Sequence, residues 1–220
     1  MRKVLLVFLC VILCSCAVHN DLKQELDDVF AQTSETEKIR HNNFTRYVDY
    51  YLPSDVSEET ADSLSSVMMY SRSRIIMDVN ISGIINERYY EKLPLAEEGF
   101  FDNSRIFYAK EGTYKDDEGI DKEYIFRIYE YDGEYLLHFL SKDLIFYAYG
   151  ERNDLIPLTS RIYLIARGAE VRTASVLADF STIDVIDYHK KQVNLFETVM
   201  PVNGSISDFM VEDNETDMEE

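Results

Sequence analysis

Between residues 104 and 150 the chain falls into four short runs rich in Ile, Phe and Tyr, separated by polar breaks. The runs are 105–110, 124–131, 134–140 and 144–149, and aromatic and β-branched residues suit a pleated surface. Tyr131-Asp132-Gly133-Glu134 joins the second run to the third. An Asp-Gly pair accepts the positive φ angles of a tight primed turn, so a hairpin is predicted there. Ser141-Lys142-Asp143 marks the next turn, and residues 111–122 read as a long acidic connection. Upstream, residues 68–70 read as a strand and 71–73 as a turn. A longer strand is predicted over 74–85, where Met77, Val79 and Ile81 alternate with Asp78, Asn80 and Ser82. Gly83 fits a bulge or the strand's end. The expected core is an antiparallel meander joined by the 74–85 strand.

Other segments carry helical spacing. Leu22, Leu26, Val29 and Phe30 recur at i, i+4, i+7 and i+8 before the polar run 32–37 breaks the stripe. This predicts a short helix within a polar tether, whose stripe could dock a partner but more commonly packs on the chain's own domain. Phe44, Tyr47, Val48 and Tyr51 repeat the spacing, and Pro53 ends it. Residues 54–65 read as a loop and 86–102 as a mixed connection containing Pro94 and Gly99. A helix is predicted from about Pro157 to Gly168, with Asp154 before it and Leu158, Ile162 and Ile165 on one face. Residues 171–180 fit strand or helix. Over 181–200 Ile186, Val193, Phe196 and Met200 keep a rough helical spacing up to Pro201, with a strand at 192–199 as the alternative. Residues 211–220 hold six acids and no base, a composition that favours disorder. The expected fold class is α+β: an antiparallel β-meander sheet packed with N- and C-terminal helices.

The N-terminus has a different pattern. Met1-Arg2-Lys3 is followed by an uncharged apolar run over residues 4–13, then Cys14-Ser15-Cys16. The run matches a signal-peptide core and is too short to span a bilayer, which takes roughly 20 apolar residues. Leu13-Cys14-Ser15-Cys16 resembles the bacterial lipobox, with Leu three positions before the cysteine and a small residue just before it. Cys14 departs from the commoner residues at its position but is small. Cys10 and Cys14 fit less well as the modified residue, because Leu9 and Leu13 precede them. The resemblance covers residues 1–16. It implies a lipoprotein cut before Cys16, whose thiol carries diacylglycerol and whose new amino group takes an acyl chain such as palmitate. Each buried methylene contributes about 0.8 kcal/mol, so one chain holds marginally and two or three anchor stably. The implied partner is the lipid bilayer, and the implied location is the extracytoplasmic face of the cell membrane.

Four regions follow: a signal peptide over 1–15, a lipid-anchored tether over 16–42, one globular domain over 43–210 and an acidic tail over 211–220. With its core placed after residue 43, the domain is expected to fold without the anchor. The three cysteines, Cys10, Cys14 and Cys16, all lie in the export region, so disulfides, thiol catalysis and cysteine-ligated zinc are not expected in the domain. The formal charge is −19, and cleavage would remove Arg2 and Lys3. Such a chain is not expected to bind nucleic acid, which needs clustered Lys and Arg, and anionic lipid headgroups should repel it.

No motif announces catalysis. His19, His41, His138 and His189 show no zinc-site spacing. His138, between Leu137 and Phe139, is expected to point to the face opposite them. No serine lies in Gly-x-Ser-x-Gly or Ser-x-x-Lys, and no glycine-rich phosphate loop occurs. Asp116-Asp117-Glu118-Gly119-Ile120-Asp121 offers oxygen ligands but lacks the register of a calcium loop, so a solvated acidic loop is expected. Glu58-Glu59 and Glu97-Glu98 offer paired carboxylates with no facing geometry implied. No catalytic residue, metal ligand or cofactor is therefore assigned. The distinctive feature is 16 tyrosines with no tryptophan. Tyr129, Tyr131, Tyr135, Tyr147 and Tyr149 fall on adjacent predicted strands and form the candidate binding surface, suited to a glycan or a protein partner. The main functional expectation is a non-catalytic interaction or assembly module with an envelope protein partner. A small-ligand or cell-wall glycan binding domain, or an envelope hydrolase, are the alternatives.

Overall fold

The computed structural model describes residues 18–34, 40–89, 95, 101–116 and 119–181, with side chains described from residue 22 onward except at residue 34. The chain order is α1 (Val18–Ser34), β1 (Asn43–Phe44), β2 (Val48–Tyr50), β3 (Val56–Ala61), β4 (Ser65–Tyr70), β5 (Ser73–Val79), α2 (Ile81–Tyr89), β6 (Ile106–Lys115), β7 (Asp121–Tyr131), β8 (Glu134–Ser141), β9 (Leu144–Glu151), α3 (Leu155–Arg167), β10 (Ala169–Val171) and α4 (Thr173–Phe180). Short 3-10 turns at Asn103–Arg105 and Arg152–Asp154 precede β6 and α3. Seven strands form one sheet in the order β3-β4-β5-β9-β8-β7-β6, and β1-β2-β10 form a small second one. Helices at both ends of the described chain and a large antiparallel sheet make this an α+β protein.

The expected meander is present as β6 to β9, with Asp132 and Gly133 at φ 51° and 90° in its central hairpin turn. It joins a second meander, β3-β4-β5, through the β5–β9 pair, in which Ile76 lies opposite Tyr147. The joining strand is shorter than expected. β5 stops at Val79, where Asn80 caps α2: its Oδ1 accepts from the Gly83 amide at 2.9 Å and its Nδ2 donates to the Ser141 carbonyl at 2.8 Å. Period-two apolar spacing happens to run across this strand-to-helix junction. Gly83 is thus in the first turn of a helix and not at a bulge. A Cβ there would lie 2.4 Å from the Lys142 carbonyl oxygen and 2.6 Å from Asn80 Nδ2. Gly83→Ala is expected to lower stability by about 1–3 kcal/mol, the usual effect of overpacking, seen as a reduced urea midpoint with unchanged slope.

Both faces of the central strands are apolar. Tyr124, Phe126 and Ile128 of β7, Leu137 and Phe139 of β8, and Phe146 of β9 share the face covered by α1 and α3. Phe30 of α1 enters this core, stacked on Tyr124 with ring centroids 5.5 Å apart and edge-on to Tyr163 of α3 at 4.8 Å. Leu26, one turn earlier, is fully buried. Arg167, at the end of α3, donates to the Thr33 carbonyl. Residues 18–34 are therefore the expected helix packed on the chain's own domain, so the folded region begins before residue 43, a correction to the bounds of the tether over 16–42 and of the domain over 43–210. The physical reason is that the Leu26–Phe30 stripe fills space above the meander that no other described element occupies.

Other corrections are local. Phe44, Tyr47, Val48 and Tyr51 belong to the β1–β2 region and not to a helix; β2 is held between β1 and β10. Val56–Ala61 is an edge strand where a loop was expected, because its exposed Ser, Glu and Thr residues hide the strand pattern. The acidic connection is short, since β6 runs on to Lys115 and β7 begins at Asp121. Residues 171–180 divide into the end of β10 and helix α4. The signal peptide, Cys16, all but Ser181 of the helix expected over 181–200, and the tail over 211–220 lie outside the described residues. Among the described residues no helix is long and apolar enough to cross a membrane.

Candidate functional site

The candidate tyrosines divide between the two faces of the sheet. Strand alternation puts Tyr129, Tyr131, Tyr147 and Tyr149 on the face away from α1 and α3, and Tyr135 on the helical face. Tyr129 is only 2% exposed, packed with Phe101, Ile76 and Leu136. The Phe101 and Tyr129 ring centroids are 5.0 Å apart. Tyr131, Tyr147 and Tyr149 are half-buried around this cluster. Tyr135 is buried with its ring edge-on to Phe107 at 5.3 Å. Four of the five residues are thus brought together, and Phe101 closes over part of their surface. His138 does face away from the helices, as alternation predicts, and is buried between Phe101 and the stacked ring of Tyr147 at 5.0 Å.

The acidic candidates are tied up locally. Asp116 accepts from the Ile120 amide at 2.8 Å, and Asp121 pairs with Lys115 at 2.9 Å; residues 117 and 118 lie outside the described residues. Glu58 accepts from the Tyr50 hydroxyl and Glu59 pairs with Arg74 at 3.3 Å, so these neighbours point to different partners. Glu97 and Glu98 lie outside the described residues, as do His189 and the side chain of His19. Among the described residues no three His, Cys, Asp or Glu side chains gather as a metal-ligand set.

A second feature was not visible in the linear sequence. A cleft of about 680 Å³ opens at the end of the sheet, between the first turns of α1 and the β7–β8 hairpin. Its floor is Phe107. The β6–β7 register shifts between Ile106 and Tyr108, and such a bulge re-aims side chains. Here Phe107 and Tyr108 both meet α1. The Lys23 ammonium lies 5.3 Å from the Phe107 ring centroid, and the Tyr108 hydroxyl donates to Asp27 Oδ1 at 2.8 Å. Lys23 and Asp27 are one turn apart on a single helix face. Lys110, 2.5 Å from Asp27, and the Tyr108 hydroxyl hold that carboxyl below the usual carboxylate range. The Arg152 guanidinium reaches the same Phe107 ring at 5.8 Å, and Arg105 lies over Tyr131 at 4.2 Å. Three cations therefore ring one end of an acidic chain, anchored by cation–π contacts, with Glu130 and Asp132 on the hairpin side.

Comparison with protein-family models, with curated proteins and with solved structures gives no match for this chain. The class that the fold defines is α+β, with an aromatic sheet face and a cationic terminal cleft as its two distinctive surfaces.

Proposed function

We propose that the chain is an extracytoplasmic bacterial lipoprotein, anchored to the cell membrane through Cys16, whose α+β domain is a non-catalytic interaction or assembly module. The observation that carries this reading is the order Arg2-Lys3, apolar run, Leu13-Cys14-Ser15-Cys16. It is supported by the position of α1, which begins two residues after Cys16 and is packed into the core. An anchor so close to the folded body presents the domain to the envelope in a restricted orientation, which suits a module that displays one surface to a partner. Burial of Tyr129 and Tyr135 leaves less tyrosine surface open to a glycan, and this weighs towards a protein partner.

The large apolar side chains most exposed among the described residues are Phe44, Tyr89 and Ile120, where a photo-crosslinking residue would displace no core contact. Crosslinking in intact cells from these three positions is expected to yield one dominant envelope protein, identified by mass spectrometry. Glycan adducts alone, or no adduct from any position despite full display of the chain, would contradict an assembly module.

A further inference from the structure

We propose that the cleft floored by Phe107 seats the headgroup of a zwitterionic phospholipid, its phosphate between Lys23 and Arg152. The geometry carries the phosphate. Among the described residues neither Lys23 nor Arg152 forms an ion pair with a carboxylate, although the chain holds 41 acids against 22 Lys and Arg. Both cations instead lie against one aromatic ring, at 5.3 and 5.8 Å from its centroid, and both line the same cleft. Two like charges lining one cleft are stabilised by an anion between them, and charge-assisted hydrogen bonds to phosphate are among the stronger polar contacts. Glu130 and Asp132 line the other side of the same cleft. A ligand with a phosphate and an ammonium group satisfies both sides, whereas a purely anionic one meets the carboxylates unfavourably.

The position of the cleft carries the lipid, and this step rests on the anchor at Cys16. From Cys16 to Val18 the chain spans at most about 7 Å, and Val18 to Lys23 along α1 rises roughly 7.5 Å. Whatever course residues 16 and 17 take, Lys23 then lies within roughly 15 Å of the lipidated cysteine. Further along α1, Asp27 meets Tyr108 and Lys110, Phe30 meets Tyr124, and Thr33 meets Arg167. The helix therefore runs away from the cleft, and the end of the sheet carrying Phe107, Asp132 and Arg152 is the end next to the bilayer. The local cations offset there the repulsion that the whole acidic chain feels from a membrane surface.

The test uses the full lipidated chain in nanodiscs, read by hydrogen exchange at residues 104–107 and 131–133. Discs of phosphatidylethanolamine and phosphatidylcholine are compared with discs of a neutral galactolipid that has no phosphate. Exchange is expected to be about tenfold slower in the phospholipid discs. Lys23→Gln with Arg152→Gln should abolish that difference, and Lys23→Arg with Arg152→Lys should keep it. Equal exchange of the unaltered chain in the two discs would overturn the assignment without any variant. Full slowing in galactolipid discs by millimolar free phosphoethanolamine would also overturn it, by reassigning the cleft to a soluble ligand. A chain without lipid on Cys16 would fail earlier, at insertion into either disc, which separates failure of the anchor from failure of the cleft.

Discussion

A chain shortened to begin at residue 43 is expected to lose its cooperative thermal transition. Such a chain lacks Leu26 and Phe30, which are 0% and 3% exposed, and it uncovers Tyr124 and Phe126 on the helical face of the sheet and Tyr163 of α3. Truncating one buried Leu or Phe to Ala typically costs about 2–5 kcal/mol. Total stability for a domain is of the order of 5–15 kcal/mol, so losing the whole helix removes a large share of it. Point variants scale the effect: Phe30→Ala should lower stability by about 3–5 kcal/mol. A variant on the exposed face, such as Gln24→Ala, should change it by less than about 0.5 kcal/mol. Denaturant unfolding of the mature chain measures both. A truncated chain with a cooperative melt close to that of the mature chain would show that α1 is dispensable and that the anchor is joined to the domain by a free spacer.

The second large effect concerns Asp78. This carboxyl lies on β5 opposite Ser65, is 4% exposed, and is pushed up to about 6 by burial, with the Ser65 hydroxyl opposing the shift and the Asp62 charge adding to it. An unfolded Asp titrates near about 4. The folded value is therefore the higher one, and the native state holds this proton more tightly than the unfolded chain does. Stability contributed by the protonated carboxyl is complete below about pH 4, falls as pH rises towards about 6, and is lost above that. Two units correspond to roughly 3 kcal/mol. Asp78→Asn removes the ionisable proton at nearly constant shape. It is expected to stabilise the protein by about 1–3 kcal/mol at pH 7.5 and to have little effect at pH 4. Urea midpoints at the two pH values check this. An equal effect of the substitution at both would show that Asp78 does not titrate in this range.

The parts of this fold that could be read beforehand are those in which a single local rule was enough. Asp132-Gly133 specified its hairpin, and Pro157, Ile162 and Gly168 bracketed α3. The meander followed from aromatic runs separated by turn residues. Elsewhere tertiary context decided the outcome. The stripe Leu22-Leu26-Phe30 favours packing on the chain's own domain over docking a partner, but only the Tyr124–Phe126 face shows where it packs. Phe44 to Tyr51 has helical spacing, yet β2 is only three residues long, too short for alternation to be seen, and its partner β10 is distant in sequence. The extension of β6 to Lys115 was hidden by Glu111, Gly112 and Thr113, polar or small residues suited to an edge strand. The Asn80 cap could have been found, since Asn before an apolar helix is a start signal, but the alternation through Val79 and Ile81 outweighed it.

The cleft shows the limit most clearly. Lys23, the Arg105–Phe107 segment and Arg152 come from three separate places in the chain and share no motif. They meet because a one-residue bulge in β6 presents Phe107 to α1, and because α1 is packed against the sheet. The tyrosine surface, in contrast, was legible as a set of adjacent strands but not as a set of exposed groups. Alternation assigns a side chain to a face; it does not say whether a segment such as the one carrying Phe101 lies over that face.

The proposed role and the proposed lipid contact both depend on one covalent feature, an acylated Cys16 as the first residue of the mature chain. The most direct test is mass spectrometry of the N-terminal peptide of the protein extracted from the membranes of its own host. The account predicts a peptide starting at Cys16, carrying a diacylglyceryl thioether and absent from the aqueous fraction, with Cys16→Ser releasing the intact domain or leaving it uncleaved. An unmodified Cys16 still joined to Ser15, or a mature chain starting elsewhere and recovered in soluble form, would contradict it.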